Sequence, residues 1–195
     1  MHNPWNETPT LAGRHVTLRP LTRDDRDALL DAFSDGAAGL FTTMVPNPQT
    51  IDAWVSQLER ERGAGRAAPF CVLDKDGRVS GTTRLMRMSE RHRRLEIGGT
   101  LYAGRVRRTG LNTEAKLLLL GHAFDALGCN VVQLRTDWLN HASRKAIERL
   151  GAKLDGVLRG HLVMPGHVRD TVVYSILVGE WPGVRSNLLA RLDDD

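Results

Sequence analysis

The chain has 195 residues, 41% hydrophobic and 26% charged, with a formal net charge of +4, the composition of an ordinary globular protein at the length of one domain. Its two cysteines, Cys71 and Cys129, stand far apart and outside any C-x-x-C, which argues against a disulfide framework or a zinc module and suits a reducing cytoplasm. No apolar run approaches the roughly 20 residues that span a bilayer, and the N-terminus lacks the basic-then-apolar pattern of a secretory signal.

Residues 14–20 read as a first strand stopped by Pro20, and Thr22 with Asp24 and Asp25 as the start of a helix whose apolar face is Ala28, Leu29, Ala32 and Phe33. Residues 37–49 look irregular. Ile51, Trp54, Val55 and Leu58 give an amphipathic helix ended by Gly63 and Gly65. A meander follows: a strand over 69–74, the hairpin signal Asp76-Gly77, a strand over 78–88, a basic turn, and a strand over 94–102. Gly98-Gly99 marks a bulge, or a close approach by a ligand, in that last strand.

The polar loop 105–112 precedes a helix over 113–127, whose stripe is Leu117, Leu120, Phe124 and Leu127, with Gly128 as its stop. A buried strand over 131–136 leads to Asn140, the N-cap of a helix that Gly151 ends. Residues 157–163 and 168–177 form a hairpin around Pro165-Gly166, with His161 and His167 on its two arms. A helix over 180–192 points Val184, Leu188 and Leu192 inward, and the acidic residues 193–195 read as a tail. The order β-α-α-βββ-α-β-α-β-β-α describes a single α/β (α+β) domain over residues 1–195, core 14–192, around a mixed, mostly antiparallel sheet flanked by helices.

The charge is unevenly spread. Residues 84–116 hold nine basic and three acidic residues, a local +6, while the rest of the chain is −2. Such a field suits one polyanionic ligand. A nucleic-acid surface gives the same excess, but Tyr102 is the segment's single aromatic residue, whereas single-strand binding interleaves aromatics with basic residues. Arg105, Arg107, Arg108, Thr109 and Gly110 lead into a helix start with Asn112 as a plausible N-cap and Thr113-Glu114 in the first turn. Backbone N–H groups and positive partial charge at such a start cradle phosphate. The loop is neither a Walker A motif nor G-x-G-x-x-G. A pyrophosphate held without either points to coenzyme A.

These motifs in this order resemble the GCN5-related N-acetyltransferase (GNAT) superfamily, and within it the RimJ/RimL-like branch. The family's pyrophosphate loop, Gln/Arg-x-x-Gly-x-Gly/Ala, is matched by Arg105-Val106-Arg107-Arg108-Thr109-Gly110 at Arg105 and Gly110; Arg108 replaces the first glycine. Residues 112–116, 134–143, 146–151 and the hairpin around His161 and Tyr174 resemble the branch's later segments. The resemblance implies a GNAT-like fold, acetyl-CoA as cosubstrate, no metal, and acetyl transfer to an amine by direct attack in a ternary complex. Coenzyme contacts are expected from Leu101, Tyr102, Arg105, Arg107, Arg108, Thr109, Gly110, Leu111, Asn112, Thr113, Asn140 and Ser143. Backbone N–H groups of a splayed strand over 99–102 are expected to polarise the carbonyl. Glu96 is the expected base, acting through water. Ser143, standing where many relatives carry tyrosine, is expected to stabilise the leaving thiolate.

The acceptor follows from ionisation. A lysine with pKa ~10.4 is only about 0.1% neutral near pH 7.5, a deficit of ~4 kcal/mol, whereas an α-amine with pKa ~7.8 is about one-third neutral. An N-terminal α-amine therefore needs only a modest base, and the resemblance implies a protein or peptide N-terminus, of ribosomal-protein type, as the acceptor. The alternatives are a small amine (antibiotic, polyamine or amino acid), a non-catalytic acetyl-CoA-binding module, and a nucleic-acid binder. The acidic helix start at Asp24, Asp25, Asp27 and Asp31 either attracts a cationic acceptor or complements the helix dipole. A cytoplasmic location is expected, with no membrane partner. The C-terminal helix packs either within the chain or in a homodimer seam.

Overall fold

In a computed structural model, residues 3–36 and 42–193 are described. Eight strands form one sheet: β1 (Leu11–Ala12), β2 (Val16–Pro20), β3 (Ala67–Asp74), β4 (Val79–Ser89), β5 (Arg94–Tyr102), β6 (Val131–Asp137), β7 (Lys153–Met164) and β8 (His167–Leu177), in the order β1-β2-β3-β4-β5-β6-β8-β7. Every neighbouring pair is antiparallel except β5 and β6. This is the mixed, mostly antiparallel α/β arrangement that the residue patterns predict.

Helices α1 (Arg26–Ser34) and α2 (Ile51–Gly63) cover one face. Leu29, Phe33, Ile51, Val55 and Leu58 pack there against Leu21, Cys71 and Leu101. Helices α3 (Gly110–Gly121), α4 (His141–Leu150) and α5 (Trp181–Asp193) cover the other. Leu111, Ala115, Leu119, Ile147, Leu150, Trp181, Val184 and Leu188 join the larger core on that side. The inward residues of α5 thus pack within the chain. Asp193 ends that helix, so the expected tail begins no earlier than residue 194, and 194–195 lie outside the described residues. Both cysteines are free and buried. Among the described residues, no helix is long and apolar enough to cross a membrane.

Several boundaries differ from the sequence-based ones. Helix α3 starts at Gly110, three residues before the predicted 113. Thr109, extended at φ −118° and ψ 170°, caps it by accepting the Leu111 N–H, so Asn112 is not the N-cap. A side chain at position 110 would come within 3.2 Å of the His15 ring, so glycine suits this first helical position. The helix ends in a π-helical turn, His122–Ala126, before Gly128, whose φ of +63° is the expected stop. The buried face of α3 is also rotated: Leu117 is half-buried, while Glu114 and Lys116 are buried. Glu114 accepts the backbone N–H groups of Arg14, His15 and Val16 at 2.8, 2.5 and 2.9 Å, pinning β2 to the helix. Strand β7 begins at Lys153 rather than 157; as an edge strand with register shifts at Leu154/Gly156 and Leu158/Leu162, it lacks a clean apolar alternation.

The pairing of β5 with β6 creates the site. It runs only through Arg94↔Val131, Leu95↔Val132 and Glu96↔Gln133. Beyond Glu96 the strands part. Strand β5 shifts register against β4 between Thr82 and Arg84, where Gly99 takes a φ of +58°. This is the bulge that Gly98-Gly99 predicts. Strand β6 stays with β8 as far as Asp137↔Thr171.

Candidate active site

The gap between β5 and β6 opens into a cleft of about 710 Å³, walled by α3 on one side and α4 on the other. Among the predicted site residues, Glu96, Leu101, Tyr102, Arg107, Arg108, Thr109, Asn112, Thr113, Asn140 and Ser143 line it. Arg105, Gly110 and Leu111 do not. The Arg105 guanidinium turns to the β3–β4 hairpin, donating to Val79 O at 2.7 Å and Ser80 Oγ at 3.0 Å, and lies 3.7 Å from Asp74. Leu111 is in the core, and Gly110 faces His15.

The loop before α3 is held from outside the cleft. The Arg105 N–H donates to the Asp35 carboxylate at 2.9 Å, and Arg107 Nη2 to Gly36 O at 2.7 Å. Thr109 Oγ1 donates to Val106 O at 2.8 Å. Arg108 adopts a φ of +61°, so arginine takes the left-handed conformation that the family's glycine would supply without strain. The backbone bend of the glycine pattern therefore persists despite the substitution.

At the other wall, Asn140 Oδ1 caps α4 by accepting the Ser143 N–H at 3.0 Å, and Asn140 Nδ2 donates to Thr42 Oγ1 at 3.1 Å. Both ends of this amide are engaged, which fixes the first turn of α4 and the half-buried Ser143 beside the cleft. Asp137 braces the preceding turn, accepting the Leu139 N–H at 2.9 Å, while its second oxygen is 2.7 Å from His167 Nε2. His161 contacts Thr171 instead, at 3.0 Å. The two histidines thus take different partners, and among the described residues no cluster could hold a metal.

Glu96 is 5% exposed. Its Oε2 lies 3.2 Å from Arg87 Nε and 3.2 Å from Arg135 Nε. Burial pushes its pKa above the ordinary carboxylate value, and the neighbouring arginines only partly offset this. A carboxylate so placed is more basic than a surface glutamate. The Tyr102 hydroxyl is buried in the cleft wall without a hydrogen-bond partner among the described residues. It offers a donor to whatever fills the space.

Four arginines and one lysine of this site are not among the predicted site residues, although Arg84 is a natural ion-pair candidate for Glu96 on the neighbouring strand. Arg84, Arg87, Arg135 and Arg169 line the cleft around Glu96. They come from β4, β6 and β8 and share no spacing along the sequence that marks a ligand site. Lys116 also lines the cleft, 6% exposed, with Nζ donating to Thr100 Oγ1 at 2.8 Å. Burial pulls its pKa down to about 7. A second cavity, about 790 Å³, adjoins the cleft at Thr43, Arg84, Gly99 and Leu101 and is bounded by α2 and by Pro165 of the β7–β8 turn. Trp54 lines it, its ring edge-on to Phe33 at 6.2 Å between centroids.

A parallel pair that splays around a cleft, with a tight basic turn into a helix at one wall and an asparagine-capped helix at the other, is the architecture of an acyl-CoA-dependent transferase. The acetyltransferase (GNAT) domain family matches residues 15–153. A GCN5-related N-acetyltransferase from Brucella melitensis is 31% identical, with a TM-score of 0.86 over 95% of this chain and 86% of that one. The Bacillus subtilis protein named "Putative ribosomal N-acetyltransferase YdaF" is 28% identical over 174 residues, 87% of this chain and 94% of its own. Mycobacterium smegmatis RimJ in complex with CoA-disulfide shares the fold, with a TM-score of 0.80 at 23% identity over 98% of this chain and 97% of that one. The chain belongs to the GNAT family and is an acetyl-CoA-dependent N-acetyltransferase.

Proposed function

We propose that this enzyme acetylates the α-amine of a protein or peptide N-terminus. The observation that carries this reading is the single buried, partly compensated carboxylate of Glu96 in the cleft, which the second cavity adjoins at Arg84, Gly99 and Leu101. An amine that is already about one-third neutral near pH 7.5 needs only a modest base, whereas a lysine carries a deficit of ~4 kcal/mol. The name of YdaF, "Putative ribosomal N-acetyltransferase", agrees with a ribosomal-type acceptor.

The cleft residues fit the coenzyme. The orphaned Tyr102 hydroxyl, the bent loop at Arg108 and the first turn of α3 would face the phosphates and the pantetheine arm. When bound, the coenzyme supplies an activated acetyl group. Arg107, Arg108, Thr109, Asn112 and Thr113 would hold its pyrophosphate. Glu96 takes the proton released by the attacking amine. The Ser143 hydroxyl, a poor acid, hydrogen-bonds the departing sulfur. Backbone N–H groups of β5 beyond Glu96, where that strand no longer pairs with β6, are placed to polarise the carbonyl.

The test is thiol release from acetyl-CoA over a panel of peptides and small amines, with the product's acetylated position mapped by mass spectrometry. Peptide α-amine products are expected, with turnover reduced more than tenfold by Glu96→Gln. Turnover confined to small amines, or to lysine side chains, overturns the reading.

A further inference from the structure

We propose that the acceptor is an acidic N-terminus: the amine delivered to Glu96 belongs to a peptide carrying a carboxylate within its first residues, bound by Arg169 together with Arg84 and Arg135. This rests on the reading of a peptide α-amine acceptor and names its chemical class.

The argument is one of charge and burial. Among the described residues lining the two cavities, Glu96 is the one carboxylate. Around it stand Arg84, Arg87, Arg135 and Arg169, with Arg60 further along the second cavity. Arg87 and Arg135 share the single Glu96 oxygen at 3.2 Å each. Arg84 leans on Glu61 of α2 at 3.5 Å, and its Nε is buried without a hydrogen-bond partner. Gly99 makes this possible, since a Cβ there would sit 2.7 Å from that nitrogen. Arg169 forms no ion pair among the described residues. Its Nε donates to Thr171 Oγ1 at 3.1 Å, and it is close enough to Asp137 and Glu96 to feel both charges. Asp137, however, is committed to His167 at 2.7 Å.

Guanidinium groups out of water with too few carboxylates carry an unmet electrostatic demand. Burial, with Arg87 and Arg135 nearby, lowers the pKa of Arg169, the sign of a cation short of counter-charge. A planar guanidinium with free N–H groups takes a carboxylate in two parallel hydrogen bonds. A polycationic acceptor such as a polyamine meets repulsion here instead. None of the acidic residues around the start of the first helix, Asp24, Asp25, Asp27 and Asp31, lines either cavity. Asp25 is buried and paired with Arg19, and Asp27 pairs with Arg26.

Peptides identical except for Asp, Ala or Lys at position 2 should be compared for kcat/KM, alongside free aspartate and spermidine. Their N-acetylated forms should be titrated by calorimetry, which needs no turnover. The Asp peptide is expected to exceed the Ala peptide by about tenfold in kcat/KM and in affinity, and the Lys peptide to fall below both. In Arg169→Gln the Asp-to-Ala ratio is expected to fall toward one, and in Arg169→Lys to recover in part. Equal values for the three peptides in both assays, or a preference for Lys or spermidine, overturn the inference. Equal turnover of all three peptides leaves the α-amine reading intact. Free aspartate acetylated in preference to every peptide sinks that reading while keeping the carboxylate requirement.

Discussion

Lys116 Nζ donates to Thr100 Oγ1 at 2.8 Å, and that hydroxyl is itself 2.9 Å from Thr83 Oγ1. An ammonium-bearing side chain from α3 is thus anchored under the β5 bulge by hydroxyl groups, with no carboxylate as counter-ion. Its pKa falls to about 7 from burial alone. Between that value and an unfolded value near ~10.4 the unfolded chain holds the extra proton, so stability rises with pH across this window. Lys116→Met should therefore raise the unfolding free energy at pH 7 by about 1–3 kcal/mol and flatten the rise toward pH 9.5. Denaturant titrations at the two pH values check this; a less stable variant at pH 7 would contradict it.

The Glu96 carboxylate acts as a base only when ionised. Burial sets its pKa above the ordinary carboxylate range, and Arg87 and Arg135 pull it down. Arg135→Gln removes one of those cations, so the acid limb of kcat, measured at saturating peptide, should move to higher pH. An unmoved limb, or one displaced downward, would separate Glu96 from proton transfer.

Asn140 joins two elements through one amide. Asn140→Ala loses the α4 cap and the tether to Thr42, and should cost about 1–2 kcal/mol of stability. Thr42→Val loses only the tether and should cost less. Chemical denaturation of both variants measures the difference, and equal losses would show that the cap contributes nothing.

Arg108 holds a left-handed backbone with φ +61°. Arg108→Gly should relieve about 1 kcal/mol of strain, partly offset by glycine's freedom in the unfolded chain, while weakening acetyl-CoA binding through loss of the guanidinium. A thermal melt and a coenzyme titration on the same preparation read both. A variant with lower stability and unchanged affinity would count against both assignments.

The basic turn before α3 and the asparagine-capped helix were legible in the sequence because their signals are local. Asn140 three residues before Ser143, and Gly128 and Gly151 after apolar stripes, are read from neighbours a few positions away. The meander was legible for the same reason. The arginine cluster was not. Arg84, Arg135 and Arg169 come from β4, β6 and β8, and they converge on Glu96 of β5 through strand register and the bulge at Gly99. The spacing of Arg105 within its motif said nothing about which side of the loop its guanidinium would leave from, and Asp74 and Ser80 of the β3–β4 hairpin drew it away. Lys116 was hidden among leucines, since a run apolar almost all round gives no indication of which face is buried.

A crystal structure with bound acetyl-CoA tests the central claim most directly. The pyrophosphate is expected against the backbone of residues 107–113, the arm between β5 and β6, and the thioester carbon between Glu96 and Ser143. A coenzyme seated outside that gap, or a thioester remote from Glu96, would contradict it.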